Sequence, residues 1–125
     1  MAKQINNMLL YTNGAALCEA IALGMAAGVP AAEVVAALEH SRGASYALGS
    51  RGKMVVERDF QPRFSNYGRL KDGRAVLDLG AHVHVPLVLV ALGQELHQAA
   101  VACGWGDEDW GSLVKVYEHM AGIGG

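Results

Sequence analysis

The sequence lacks most of the features on which nucleic-acid, membrane-surface or metal binding depends. Only 18% of the 125 residues are charged and the formal net charge is −2, so we expect neither nucleic acid nor an anionic membrane as a partner. The two cysteines, Cys18 and Cys103, have no metal-type spacing, and we interpret both as buried, reduced thiols. Whether they contact each other is left open. The five histidines form no ligand spacing either, and we expect no metal site.

Motifs for phosphate binding and for hydrolysis are also missing. No β-strand pattern precedes a glycine triplet, so the chain has no visible loop for the phosphates of a nucleotide. No serine nucleophile stands in a recognisable hydrolase context. The N-terminus lacks a basic region followed by an apolar one, so we expect no cleavable signal.

The residues that are present favour helices. Hydrophobic residues make up 52% of the chain and aromatic residues only 6%, with alanine, leucine and valine dominant. Turn residues and helical spacing divide the chain into predicted helices over 3–28, 31–40, 45–57, 65–82, 86–103 and 110–120. We therefore predict one all-α domain over residues 1–121, a helical bundle, with a flexible tail over 122–125.

The first predicted helix is apolar nearly all round, a pattern typical of a buried helix. At 26 residues it would span about 39 Å, which exceeds the roughly 30 Å diameter of a small domain. Other helices must therefore wrap it, or a second subunit must cover part of it. It is also nearly long enough to cross a membrane, but Asn13 and Glu19 lie within it and favour a core helix of a soluble, cytoplasmic protein.

Polar residues gather at the start of this helix. Lys3 and Asn7 are four residues apart and therefore share one face, with Asn6 beside them. They form a candidate polar site, although a solvated first turn would have the same pattern. Lys71 and Asp72 form a second charged pair near a predicted helix start. They are either a surface ion pair or cap, or a second part of the same site if Lys71 converges on Lys3 in space.

Five motifs in a fixed order add a family resemblance over nearly the whole chain. They are Lys3-Gln4-Ile5-Asn6-Asn7, Glu19-Ala20, Leu70-Lys71-Asp72, Pro86 and Gly104-Trp105-Gly106-Asp107-Glu108-Asp109. The chain resembles the C-terminal helical domain of the β-hydroxyacid dehydrogenases, such as 3-hydroxyisobutyrate dehydrogenase and, more distantly, 6-phosphogluconate dehydrogenase. The resemblance implies helices around a long central N-terminal helix. It also implies that NAD or NADP is bound mainly by an N-terminal Rossmann domain absent from this chain.

The resemblance also implies roles for the polar residues. Lys3 corresponds to the catalytic general acid/base, Asn7 orients the substrate with Asn6 close by, and Lys71 lies near the substrate and the nicotinamide end of the cofactor. Asp72 is expected to be structural. The implied reaction is oxidation of a small 3-hydroxy acid, or reduction of its semialdehyde, by the full-length enzyme. This fragment alone should be nearly inactive.

Two further expectations concern local geometry. A lysine transfers protons near neutral pH when burial or a neighbouring cation lowers its pKa, and we expect the apolar helix to bury Lys3 and Lys71 to be the neighbouring cation. Gly73 stands where the family usually has leucine after Lys-Asp, and we expect it to loosen that helix start.

A non-catalytic dimerisation or interaction module is the alternative function. A homodimer is compatible with both functions. The sequence does not decide which hydroxy acid is the substrate, or between NAD and NADP.

Overall fold

The computed structural model of the chain describes residues 1–123, and this part is all helical, as the sequence predicts. Within it, the only extended pairing is an isolated bridge between Ser65 and Asp109. The elements are α1 (Ala2–Ala26), α2 (Ala31–Glu39), α3 (Tyr46–Val56), α4 (Asn66–Val83), α5 (Val88–Ala102), a 3₁₀ turn (Trp110–Ser112) and α6 (Leu113–Ala121).

Helix α1 is the centre of the bundle, because every other helix packs against it. One face is buried and includes Leu17, Cys18 and Ile21. The expectation of burial nearly all round is wrong for this chain: Leu9 is 57% exposed and Leu23 is 72% exposed. By length and composition alone α1 could cross a membrane, but here it is the helix on which the others assemble.

Side-chain caps explain the starts of α3 and α4. Ser45 accepts a hydrogen bond from the Leu48 N–H at 3.1 Å, and Ser65 accepts one from the Gly68 N–H at 3.0 Å. Each bond satisfies a backbone donor that a first turn leaves free. Helix α5 begins at Val88 instead of at the predicted residue 86, because the left-handed cap of α4 at His84 is followed by three non-helical residues, 85–87.

Trp110 lies in the middle of the main core and is 2% exposed. A Cβ atom at Gly14 would lie only 2.8 Å from its ring, so α1 approaches the tryptophan closely because position 14 has no side chain. Cys18 is fully buried in the same core, and burial raises its pKa to about 12. The expectation for Cys103 is wrong: it is exposed, because it follows the last turn of α5.

A buried polar network ties α4, α5 and the 3₁₀ turn together. Asn66 donates hydrogen bonds to the Ser112 hydroxyl at 2.9 Å and to the Trp105 carbonyl at 2.8 Å. Its carbonyl oxygen lies 2.8 Å from Nδ1 of His97, which therefore acts as the donor. These bonds pair both polar atoms of the Asn66 amide and Nδ1 of the His97 ring, as is usual for buried polar atoms.

The last described residues cap α6. Gly122 has a positive φ of 68°, and the Ile123 N–H donates to the Glu118 carbonyl at 2.9 Å. The predicted flexible tail therefore falls partly outside the described residues, which do not include 124 and 125.

Candidate functional site

The start of α1 carries the predicted catalytic and substrate residues. Lys3 and Asn6 are exposed, and Asn7 is half-buried on the side that packs toward α4. The expectation that the apolar helix buries Lys3 is wrong within this chain, because Lys3 lies in the outermost turn of α1 and no other helix extends over it.

Asn7 and Asp72 line the same cavity, which brings the two polar motifs of the sequence together. The cavity has a volume of about 230 Å³, and Asn7 enters it from α1 and Asp72 from α4. A second, narrower gap between the helices is also lined by both residues. Lys71 is the exposed neighbour of Asp72 on α4. The cavity is lined by Asn7, Leu10, Tyr46, Ser50, Arg51, Phe64, Arg69, Asp72 and Trp110.

Arg69 is a residue of this cavity that the sequence interpretation missed. It is 4% exposed, and its guanidinium lies 5.0 Å from the Phe64 ring centre and 4.9 Å from that of Trp110. Burial lowers its pKa to about 10, so it stays charged at neutral pH. The available signal was its place three residues before Asp72, which puts both on one face of the helix.

Arg51, in contrast, is fully engaged. Its guanidinium donates two hydrogen bonds to the Asp109 carboxylate, at 2.8 and 3.1 Å, and lies over the Trp110 ring at 4.9 Å from its centre. Asp109 also accepts three backbone N–H bonds. Burial alone would raise the pKa of Asp109, but Arg51 and the backbone donors outweigh it and hold the pKa below its usual range.

A side chain of α5 fixes α1 against α4 beside the cavity. The Tyr11 hydroxyl, one turn after Asn7, donates to Gln94 at 2.6 Å, and Gln94 donates to the Leu70 carbonyl at 3.1 Å. Gly73 leaves the space that Gln94 occupies. The expectation that Gly73 loosens a helix start is wrong, because it lies in the interior of a continuous α4.

Two other grooves are poorer candidates for a polar substrate. Asn6 lies in a neighbouring groove of about 410 Å³ on the α3 side of α1, so the structure separates it from Asp72. An apolar groove of about 330 Å³ runs between the start of α1 and the end of α4, and Gln4 is the one polar side chain that lines it. The cavity beside Asn7 has the greater variety of polar groups.

The chain fits a nicotinamide cofactor only in part. Within residues 1–123 there is no strand followed by a glycine-rich turn, so the described residues offer no cradle for phosphates. What α4 offers is an exposed lysine, Lys71, which directly precedes Asp72 of the cavity lining.

Comparison with known proteins identifies the family to which this chain belongs. Residues 1–117 match the family model described as "NAD-binding of NADP-dependent 3-hydroxyisobutyrate dehydrogenase". The chain belongs to the 3-hydroxyisobutyrate dehydrogenase family, within the β-hydroxyacid dehydrogenases. The predicted resemblance and the predicted NAD or NADP cofactor are thereby confirmed for the family.

Several relatives support this assignment. A 2-(hydroxymethyl)glutarate dehydrogenase from Eubacterium barkeri is 33% identical over 97% of the chain and 40% of its own length. An L-threonate dehydrogenase from Cupriavidus necator is 31% identical over 92% of the chain and 39% of its own length. A 3-sulfolactaldehyde reductase from Escherichia coli is 30% identical over 97% of the chain and 41% of its own length.

Solved structures agree on the fold. A 3-hydroxyisobutyrate dehydrogenase from Salmonella typhimurium superposes with a TM-score of 0.89 at 30% identity, over 92% of this chain and 40% of that one. The Mycobacterium tuberculosis enzyme, solved with L-serine, gives a TM-score of 0.80 at 23% identity, over 91% of this chain and 41% of that one. The chain thus spans about 40% of the length of these relatives.

Proposed function

We propose that this chain is the C-terminal domain of an NAD(P)-dependent β-hydroxyacid dehydrogenase that oxidises a small 3-hydroxy acid or reduces its semialdehyde. One observation carries the proposal. Asn7 in α1 and Asp72 in α4 line one small cavity, and Lys3 lies one helical turn from Asn7 on the same face.

In the proposed reaction Lys3 is the general acid/base. Its neutral amine takes the proton of the substrate hydroxyl during oxidation, and its ammonium returns a proton during reduction. The Asn7 amide donates a hydrogen bond to a substrate oxygen without adding charge. The bound nicotinamide supplies the hydride chemistry, and Lys71 would contact it from α4.

The exposure of Lys3 adds a requirement. A general base works best when water is excluded around it, and this chain leaves Lys3 exposed. We therefore expect a Rossmann domain elsewhere in the whole protein to cover Lys3 and to hold the phosphates of NAD or NADP. The 125-residue chain by itself should be nearly inactive.

The test of this function is Lys3→Ala in the full-length protein. We expect kcat/KM for a 3-hydroxy acid to fall by about 10²- to 10⁴-fold, the usual contribution of a general acid/base, measured as NAD(P)H formation. Lys53→Ala, at an exposed lysine of α3, is the matched control and should keep the parent rate. A Lys3→Ala enzyme as active as the parent would disprove the role of Lys3.

An exposed apolar surface favours a second function, homodimerisation. Val88, Leu89 and Leu92 on α5 are 70%, 68% and 59% exposed, more contiguous apolar surface than single exposed residues explain. We expect Leu89→Glu to shift the chain from dimer to monomer in sedimentation, whereas Glu95→Gln on the same helix should not. A monomeric parent chain would exclude the dimer.

A cytoplasmic location also remains a prediction.

A further inference from the structure

The Arg69 side chain is a buried cation without a direct partner. In the part of the chain that the structure describes, it makes no side-chain hydrogen bond and no ion pair. The nitrogens of Arg69 that lack a hydrogen-bond partner are therefore accessible to solvent. The guanidinium therefore opens onto the cavity that it lines with Asn7. A buried, unpaired guanidinium is costly, and a ligand that pairs with it would remove that cost.

The cavity shows which chemical class of ligand would pair with it. Arg51 is already bound to Asp109, so Arg69 is the cation with free donors, and its planar fork matches the two oxygens of a carboxylate. Asp72 brings a negative charge to the same cavity. That charge repels a dianion such as phosphate more strongly than a single carboxylate, and its oxygens can accept a hydrogen bond from a hydroxyl group.

We propose that Arg69 binds a carboxylate of the substrate, with Asp72 accepting a hydrogen bond from a substrate hydroxyl. The site would then recognise a small hydroxy acid by its acid group and its alcohol at once. Asn7 lines the same cavity from the N-terminal part of α1. The inference deepens the function proposed above and rests on it for the identity of the ligand as substrate.

The experiment measures binding in the chain itself. Titration with 3-hydroxypropanoate is followed by the Nε–H signals of the arginine side chains in NMR and by tryptophan fluorescence in a Trp105→Phe background, which leaves Trp110, whose ring Arg69 covers. We expect saturable binding below about 100 mM, a shift of the Arg69 signal, and no binding of the neutral methyl ester. We expect inorganic phosphate to bind more weakly than the hydroxy acid.

Variants separate recognition from structure. Arg69→Met should weaken binding about tenfold or more, since it removes a charge-assisted pair. Arg69→Lys, which keeps the charge without the fork, should weaken it less. Arg74→Gln, at an exposed arginine of the same helix, should bind as the parent does. The unfolding temperature of Arg69→Met should stay the same or rise, because an unpaired buried cation is removed.

Three results would overturn the proposal: no saturable binding to the parent chain, equal binding by Arg69→Met, or tighter binding of phosphate or of the ester. In the full-length enzyme, Arg69→Met should raise KM for the hydroxy acid more than it lowers kcat. Failure of the proposed function is recognised separately. In that case Lys3→Ala would keep full activity, while carboxylate binding would still depend on Arg69.

Discussion

Replacing His97 should change how the stability of the domain responds to pH. The ring is 1% exposed and donates to Asn66 through Nδ1. Burial, with the charge of Arg69 nearby, lowers the pKa of His97 to about 3. In the unfolded chain the same ring would take up a proton near pH 6.5. The folded domain must therefore keep the ring neutral while the unfolded chain becomes charged.

The sign and size of the effect follow from this difference. The stabilisation from a neutral His97 is complete above about pH 6.5 and is lost as the pH falls toward 3, because only the unfolded state then binds the proton. The loss is about 1.4 kcal/mol for each pH unit. Between pH 6.5 and pH 5 the free energy of unfolding should fall by about 2 kcal/mol, a large share of the roughly 5–15 kcal/mol typical of a domain.

Urea unfolding from pH 7.5 down to pH 5 measures this slope. His97→Gln keeps an N–H donor for Asn66 but cannot take up a proton in this range, so below about pH 6.5 the slope should be lower by about 1.4 kcal/mol per pH unit, with little difference above it. His119→Gln, at an exposed position, is the control and should keep the parent slope. If His97→Gln also kept the parent slope, the ring would not be a buried neutral group and the argument would fail.

Two further predictions concern the core. Asp109→Asn leaves the guanidinium of Arg51 partly buried without its carboxylate, and we expect a loss of about 3–5 kcal/mol in urea unfolding at pH 7. Because folding lowers the pKa of Asp109, its contribution to the free energy of unfolding is present above about pH 4 and is lost below it. The free energy of unfolding of the variant should therefore fall less steeply below about pH 4 than that of the parent. Gly14→Ala should lower stability by about 1–3 kcal/mol by overpacking against a tryptophan ring. Gly49→Ala, which has open space around it, should gain about 0.5–1 kcal/mol, and equal effects of the two would contradict the packing argument.

The helices could be predicted because their signals are local. Ser45 and Ser65 are side-chain caps, and the Gly28 and Pro30 pair separates α1 from α2, so each boundary depends on a few adjacent residues. Burial was predicted less well. Leu9 and Leu23 have the same spacing as core residues, but exposure depends on which other helices lie alongside, and spacing does not carry that information.

The candidate site could be predicted only along one helix at a time. Lys3 and Asn7 share a face by spacing alone, and the structure adds that Asn7 meets Asp72. Arg69 was missed because an arginine at a helix start normally indicates a solvated surface. The Phe64 and Trp110 rings, 5.0 and 4.9 Å from the guanidinium, help to bury it, and Trp110 comes from a distant position in the sequence.

The position of the Lys3–Asn7 motif of α1 relative to the Lys71–Asp72 motif of α4 depends on α5, which carries neither motif. Gln94 in α5 accepts from Tyr11, one turn beyond Asn7, and donates to the carbonyl of Leu70, beside Lys71. Its amide fits there because position 73 is glycine. Gly73, which the sequence predicts to loosen α4, therefore makes room for the Gln94 contact that fixes the distance between α1 and α4. A leucine at that position would displace Gln94, and the Asn7 side of the cavity would lose its fixed distance to the Lys71 side.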